Sequence, residues 1–212
     1  MRRVPVIGVT GGIASGKTTV AKLIAGTRGV LVDCDSLGHR ALEYRDVREK
    51  LVAAFGKGVL GPSGAVSRER LSRIVFASDR AIARLNRIMR PPLKKIITEE
   101  VLRRRARARY IVLDAVLLFQ YKFSFKVDCV VVTRATRETR LERIMRRDGV
   151  SRAEALLRIE RQGALHDAWA RADVRIRTDR SLSKMRSEAA AIRDRFLARY
   201  DATGRNVRCT KK

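Results

Sequence analysis

The chain is poor in aromatic residues, in acids and in cysteine, and each shortage removes a class of function. Phe, Tyr and Trp make up 5% of its 212 residues and do not cluster, so the stacking platforms of single-strand readers are missing. That argues against a dedicated RNA or DNA reader. The three cysteines, Cys34, Cys129 and Cys209, are odd in number and far apart, which fits neither a disulfide framework nor a zinc site and implies a reducing compartment. Long apolar runs are absent as well. The run after Met1-Arg2-Arg3 stops within six residues, too soon for the apolar core of a signal peptide, and nothing approaches a membrane span. Cys-Thr-Lys-Lys at the end lacks the aliphatic pair of a prenylation box, so a soluble, cytoplasmic protein is expected. The dinucleotide fingerprint G-x-G-x-x-G is missing too, so Asp33 does not mark an NAD site. His39, His166 and Trp169 show no ligand spacing and read as packing or surface residues.

The acids number 22 against 48 Lys and Arg, a net charge of +26 spread from end to end. Phosphate-rich ligands are the natural partners of such a surface, which would also hold nucleic acid loosely and without sequence preference.

What the chain does have is a strand, a tight loop and a helix start over residues 4 to 19. Val4 to Val9 is short and β-branched, as a buried parallel strand should be, and the helix after it is announced by Lys17, Thr18, Val20, Ala21, Leu23 and Ile24. Between them Gly11, Gly16, Lys17 and Thr18 fit G-x-x-x-x-G-K-[ST], the P-loop pattern. Glycines let the backbone fold back so that successive N–H groups reach phosphate oxygens, and the helix start presents its positive dipole end to the same anion. Gly11, Gly12, Ile13, Ala14, Ser15, Gly16, Lys17, Thr18 and Thr19 are therefore the expected ATP-phosphate site. Lys17 would reach the β and γ phosphates, and the Thr18 hydroxyl would sit on Mg²⁺. A lysine aimed at phosphate is expected to have no apolar packing role, so that replacing Lys17 by Ala should leave the thermal midpoint nearly unchanged.

The remaining elements read in order. Val30 to Asp35 is a second buried strand, placing Asp33 and Asp35 on one face and Cys34 on the other, with Ser36 as a helix cap; Asp33 is also a candidate turn acceptor. Residues 46 to 55 are helical, Gly56 to Gly64 is the clearest loop, and helices follow over Ser67 to Phe76 and Asp79 to Met89. Arg90-Pro91-Pro92 should end the latter, with a separate basic helix from Leu93 to Arg105. This helical block reads as an inserted lid or acceptor-binding region, or as a solvated charged face. Tyr110 to Asp114 and Val127 to Thr133 are the third and fourth strands, and Asp114 stands where a second Mg²⁺ acid is expected. The intervening Ala115 to Gln120 can wall a substrate pocket or simply pack.

In the helix Arg137 to Arg147, Leu141, Ile144 and Met145 form the buried stripe, while Arg140, Arg143 and Arg147 line another face. Such a row can clamp phosphates; for Arg140 the favoured reading is a solvent-exposed arginine paired with a neighbouring Glu. Asp148 to Ser151 is a turn with a cap, followed by a helix to Gln162, an edge-like strand Val174 to Thr178 and a last amphipathic helix over residues 181 to 200. That helix carries Leu182, Met185, Ala189, Ile192, Phe196 and Leu197 on its apolar side, with a disordered basic tail beyond it.

With these motifs in place, the chain resembles the dephospho-CoA kinase family over nearly its whole length. Gly8 to Thr18 is similar to that family's P-loop, and Val32-Asp33-Cys34-Asp35 to its Asp-x-Asp strand end. Phe55-Gly56, Gly64 to Leu71 with Arg68, Ile74-Val75-Phe76, Leu117-Leu118-Phe119, the Arg143 and Arg147 helix, Gln162 and Ala172-Asp173 follow in the family's order. The resemblance implies an α/β P-loop kinase fold, three layers around a five-stranded parallel sheet. It divides one unit into a core (about 1–45, 108–135 and 170–200), a helical CoA-binding insertion (about 46–107), a lid (about 136–169) and a basic tail (201–212). It implies transfer of the ATP γ-phosphoryl group to the ribose 3′-hydroxyl of dephospho-CoA, the last step of coenzyme A synthesis. Asp35 would be the general base, Lys17 and the lid arginine Arg143 would act on the phosphates with Arg147, and Asp33, Arg68, Arg90, Leu117 and Gln120 would bind the acceptor. Thr18 and Asp114 would serve Mg²⁺.

The chain departs from the family at Arg90 where His is usual, Val116 for Pro, Gln120 for Glu and Thr178 for Asn, all in the acceptor and adenine surroundings. The alternatives are another small P-loop kinase for a nucleotide or sugar, and a nucleic-acid-associated or scaffold relative that has lost turnover.

Overall fold

A computed structural model of the chain describes residues 3–120, 123, 125–161 and 169–203. Gln162, His166, Cys209 and the tail from 204 onward lie outside the described residues.

The β-branched apolar runs become five strands: β1 Val6–Gly11, β2 Val30–Asp33, β3 Ile111–Asp114, β4 Cys129–Arg134 and β5 Val174–Arg177. All pair in parallel in the order β2-β3-β1-β4-β5, with Ile7 opposite Val112 on one side and Cys129 on the other. β1 is central and buried at every position, which is why it carries no alternation of polar residues. β5 is at the edge, where its alternating buried and exposed residues belong. Helices α1 Lys17–Ala25 and α8 Leu182–Thr203 supply Val20, Ile24, Ala189, Ile192 and Phe196 to a core with Ile7, Val9, Val112 and Val131. Each large side chain buried there contributes about 1.5–3 kcal/mol. The fully buried Tyr110 turns its hydroxyl onto the carbonyls of Ile24 (3.0 Å) and Ala25 (2.7 Å), closing the C-terminal end of α1.

Two compact units result, one from the described residues up to Asp33 and from Glu100 onward, the other from Cys34–Glu99. The second consists of α2 Cys34–Ala41, α3 Arg45–Phe55, α4 Arg68–Val75 and most of α5 Asp79–Arg105. Its core is Val47, Leu51, Val59, Leu71 and Val75, with Ile82, Leu85, Ile88 and Met89 packed against it. In the first unit, α6 Arg137–Asp148 and α7 Arg152–Arg161 join through Leu141, Ile144 and Ala155.

Three expectations are corrected. β2 ends at Asp33 and the chain turns at once into α2, so Asp35 lies on a helical first turn, Ser36 is inside the helix, and strand alternation does not govern Asp35. A carboxylate in the first turn complements the helix dipole, which favours helix over two more strand residues. The double proline does not end a helix: α5 is continuous through Pro91 and Pro92. Proline's fixed φ suits a helix, and the buried Leu93, Ile96 and Ile97 beyond it offset the two missing N–H groups. Gly56 to Gly64 is a loop as expected, pinned by Val59, fully buried on a short 3₁₀ turn, and by Leu60, which bridges Val66. Finally, α8 runs to Thr203, past the boundary expected at Asp201, and Leu182 at its start is exposed rather than on the apolar face.

Candidate active site

The loop between β1 and α1 takes its shape from three backbone conformations and a set of donors behind it. Gly16 has φ +80°, and a Cβ there would stand 2.9 Å from the Thr178 hydroxyl oxygen; at Gly11 a Cβ would fall 2.1 Å from that of Thr133. Ala14 is left-handed at φ +56°, a conformation that costs a non-glycine residue about 1–3 kcal/mol and persists only where its surroundings hold it. Alternating handedness of this kind turns N–H groups toward an anion and carbonyls away from it.

Each of those carbonyls has a donor. Ser15 N–H bonds the Gly12 carbonyl (3.0 Å), Arg140 Nε the Ile13 carbonyl (2.8 Å), Arg143 Nη1 the Ala14 carbonyl (3.1 Å) and the Thr178 hydroxyl the Ser15 carbonyl (2.6 Å). Ile13 and Ala14 also pack their side chains on the α6–α7 cluster. The Ser15 hydroxyl lies 2.7 Å from that of Thr133, which reaches on to the Thr10 carbonyl (3.3 Å).

At the floor of the loop Lys17 Nζ is 2.5 Å from Asp114 Oδ1, both side chains buried. Lys17 thus has a structural role that a phosphate lysine on an open loop would lack, contrary to expectation. Thr18 and Thr19 are exposed on the first turn of α1. Asp33 and Asp114 are register partners at the C-terminal ends of adjacent strands, the edge at which open parallel sheets bind ligands. Among the described residues no cluster of three or more His, Cys, Asp and Glu could by itself hold a metal ion. The oxygen donors of Thr18 and Asp114 nevertheless suit Mg²⁺, which takes few protein ligands and completes its shell with substrate phosphates and water.

Arg143 is half-buried, its Nη1 also bonding the Thr178 hydroxyl (3.1 Å) and its Nη2 the Thr178 carbonyl (2.6 Å). Arg147 is exposed and grips Asp148 through two nitrogens (2.7 and 3.0 Å); Arg158 adds a third contact, and these arginines, Arg147 first, hold the Asp148 carboxyl below its ordinary value. Arg140 is a correction: it is not a solvent-exposed partner of a glutamate but a half-buried donor to the loop, and burial lowers its guanidinium pKa. After β3, Thr10 ties its hydroxyl to the Val116 carbonyl (2.9 Å), Leu118 packs over Gly8, Leu117 is half-buried and Gln120 exposed. Trp169 lies under the guanidinium groups of Arg134 (5.2 Å) and Arg175 (5.7 Å).

In the Cys34–Glu99 unit, Asp35, Arg68 and Arg90 are all exposed, at the starts of α2 and α4 and just before the α5 prolines. The loop-bracing roles of Arg140, Thr133 and Thr178 are not legible in the sequence, where Thr178 shows only as a departure from the family's Asn. Arg140 stands at i, i+3 from Arg143, a spacing that put both on one helix face, whereas no periodicity marks Thr178.

Comparison with known proteins agrees with this architecture. The dephospho-CoA kinase family model matches residues 5–184. Among curated relatives, a dephospho-CoA kinase of Arabidopsis thaliana is 38% identical over 185 residues, covering 86% of this chain and 80% of that protein. One from Bacillus licheniformis is 36% identical over 193 residues, covering 89% and 95%. Among solved structures, a Thermus thermophilus protein superposes with a TM-score of 0.71 at 30% identity, covering 91% of this chain and 98% of that one. A shikimate kinase from Acinetobacter baumannii shares the fold at a TM-score of 0.53 and 16% identity, with coverage of 93% and 96%. Matched over most of its length in sequence and carrying the P-loop in its structural place, the chain belongs to the dephospho-CoA kinase family.

Proposed function

We propose that this chain transfers the γ-phosphoryl group of ATP to the ribose 3′-hydroxyl of dephospho-CoA, in the cytoplasm, as the last step of coenzyme A synthesis. The observation that carries the reading is the loop Gly11–Thr18, whose Ile13, Ala14 and Ser15 carbonyls are bonded from behind, an arrangement that turns the backbone's donor side toward an anion. Lys17 supplies the cation for the β and γ phosphates, and Arg143 and Arg147, both on α6, would supply guanidinium groups for charge on the transferring group by turning from their present partners Ala14, Thr178 and Asp148. Thr18 and Asp114 would hold Mg²⁺, which neutralises phosphate charge when bound. Asp35 takes the proton of the acceptor hydroxyl; its exposure leaves it open to a substrate. Asp33, Arg68, Arg90, Leu117 and Gln120 bind the acceptor. The basic surface attracts both substrates, and holds nucleic acid only weakly.

The test is ADP release with dephospho-CoA against a panel of nucleosides, nucleotides and small sugars, after nuclease treatment and at high salt. Dephospho-CoA should be preferred. Asp35→Asn should lower kcat by roughly 10²- to 10⁴-fold, the usual worth of general-base catalysis, with the dissociation constant of an ATP analogue nearly unchanged. If Asp33→Asn loses the rate and Asp35→Asn keeps it, the base is the other carboxylate. A preference for another acceptor overturns the substrate assignment.

A further inference from the structure

Thr178 follows the edge strand β5 and is still on the ladder, its N–H bonding the Arg134 carbonyl (2.9 Å). It is polar yet fully buried, and it lies directly behind Gly16, where a glycine Cβ would meet its side chain at 2.9–3.1 Å. Its one hydroxyl is used twice, donating to the Ser15 carbonyl (2.6 Å) and accepting from Arg143 Nη1 (3.1 Å). Its carbonyl accepts from Arg143 Nη2 (2.6 Å), and the same guanidinium reaches the Ala14 carbonyl (3.1 Å). Two consecutive loop carbonyls, one of them on the left-handed Ala14, are thereby fixed by a single residue and the arginine it orients.

We propose that Thr178 is a positioning residue for nucleotide binding, holding the Ala14–Gly16 backbone from behind in the conformation whose Gly16 N–H meets phosphate and seating Arg143 beside it. This rests on the reading of the loop as the ATP site, and not on which acceptor is phosphorylated. A peptide unit cannot rotate when its carbonyl is held, so the N–H of Gly16 is aimed before ATP arrives. Without the hydroxyl, the Ser15 carbonyl is left buried without its donor, and turning it to another acceptable partner moves the N–H off the phosphate. The methyl group of Thr178 would do none of this.

The experiment replaces Thr178 by Val, which keeps the shape and removes the hydroxyl, and by Ser, which keeps the hydroxyl and removes the methyl. The dissociation constant of a non-hydrolysable ATP analogue is measured by calorimetry, with KM for ATP and for dephospho-CoA and the thermal midpoint alongside. Thr178→Val should weaken analogue binding and raise KM for ATP by about tenfold, leaving KM for dephospho-CoA within about twofold, because one lost buried hydrogen bond is of that order. Thr178→Ser should restore analogue binding to within about threefold of wild type. If the valine variant does not fold, Thr178→Ala read against Thr178→Ser decides by the same criterion. Analogue binding of wild-type strength without the hydroxyl overturns the proposal. So does a serine variant as weak as the valine one, which would assign the effect to packing against Gly16. Because analogue binding needs no acceptor, failure of the dephospho-CoA assignment is read separately, in the substrate panel.

Discussion

The buried pair Lys17–Asp114 ties the lysine proposed for phosphate to the stability of the fold in one contact of 2.5 Å. Removing one partner from a buried pair destabilises by about 3–5 kcal/mol, because the other charge stays in the interior without its counter-ion. Lys17→Ala should therefore lower stability by about that amount as well as abolish phosphoryl transfer, and the double variant Lys17→Ala with Asp114→Asn should recover most of the stability and none of the activity. Urea unfolding of the variants checks this; a single variant as stable as wild type contradicts the pair's structural role. The lysine's place in G-x-x-x-x-G-K-[ST] was legible in the sequence because the pattern is local. Its partner could be placed only as an acid at a strand end. Arg140 and Thr178 were harder to read, since they serve carbonyls far away in the chain, at Ile13 and Ser15, and backbone acceptors leave no residue-type signature.

At the scale of elements, strands and helix starts with local causes were readable to within a few residues: the β-branched runs, the Ser151 cap accepting from Glu154 N–H (3.2 Å), the Gly149 stop at φ +66°. What failed was competition between local rules. At Cys34 an apolar strand pattern met a helix start, and at Pro91 a helix breaker met apolar side chains on both sides. The prolines leave the Arg87 and Ile88 carbonyls without the N–H groups that a regular helix would offer them. Pro91 is exposed, so the Pro91→Ala change restores one such donor at no cost in packing. A proline inside a helix is about 3 kcal/mol worse than alanine, and the looser unfolded chain gives back up to about 1 kcal/mol. Pro91→Ala should thus stabilise the protein by about 1–2 kcal/mol, seen as a higher urea midpoint at unchanged m-value. A lower midpoint would mean that Ile88 and Leu93 need the proline's geometry to pack.

For the whole molecule, a net charge of +26 sets both stability and company. Many arginines are answered locally, as in Arg73–Glu69, Arg152–Glu138 and Arg180–Glu188, but the excess remains and repels itself. Screening shortens that repulsion to about 10 Å at 0.1 M salt, so the thermal midpoint should rise by several degrees between about 10 mM and 300 mM sodium chloride. Over the same range retained nucleic acid should be released without regard to its sequence, and nanomolar, sequence-selective binding at physiological salt would reveal a partner that the kinase reading does not require. The parallel sheet has a further effect, in time rather than in energy. β1 lies between β3 and β4, and the first residue of the chain that can pair with Val6 is Ile111, about 100 residues later. At roughly 5–20 residues per second, a ribosome needs on the order of 5–20 s to deliver it. For that interval a strand that the fold buries at every position travels with both edges open, and the Arg140, Arg143 and Thr178 donors that brace its loop have not yet been made, so the nascent chain depends most on chaperones before its phosphate loop can take shape.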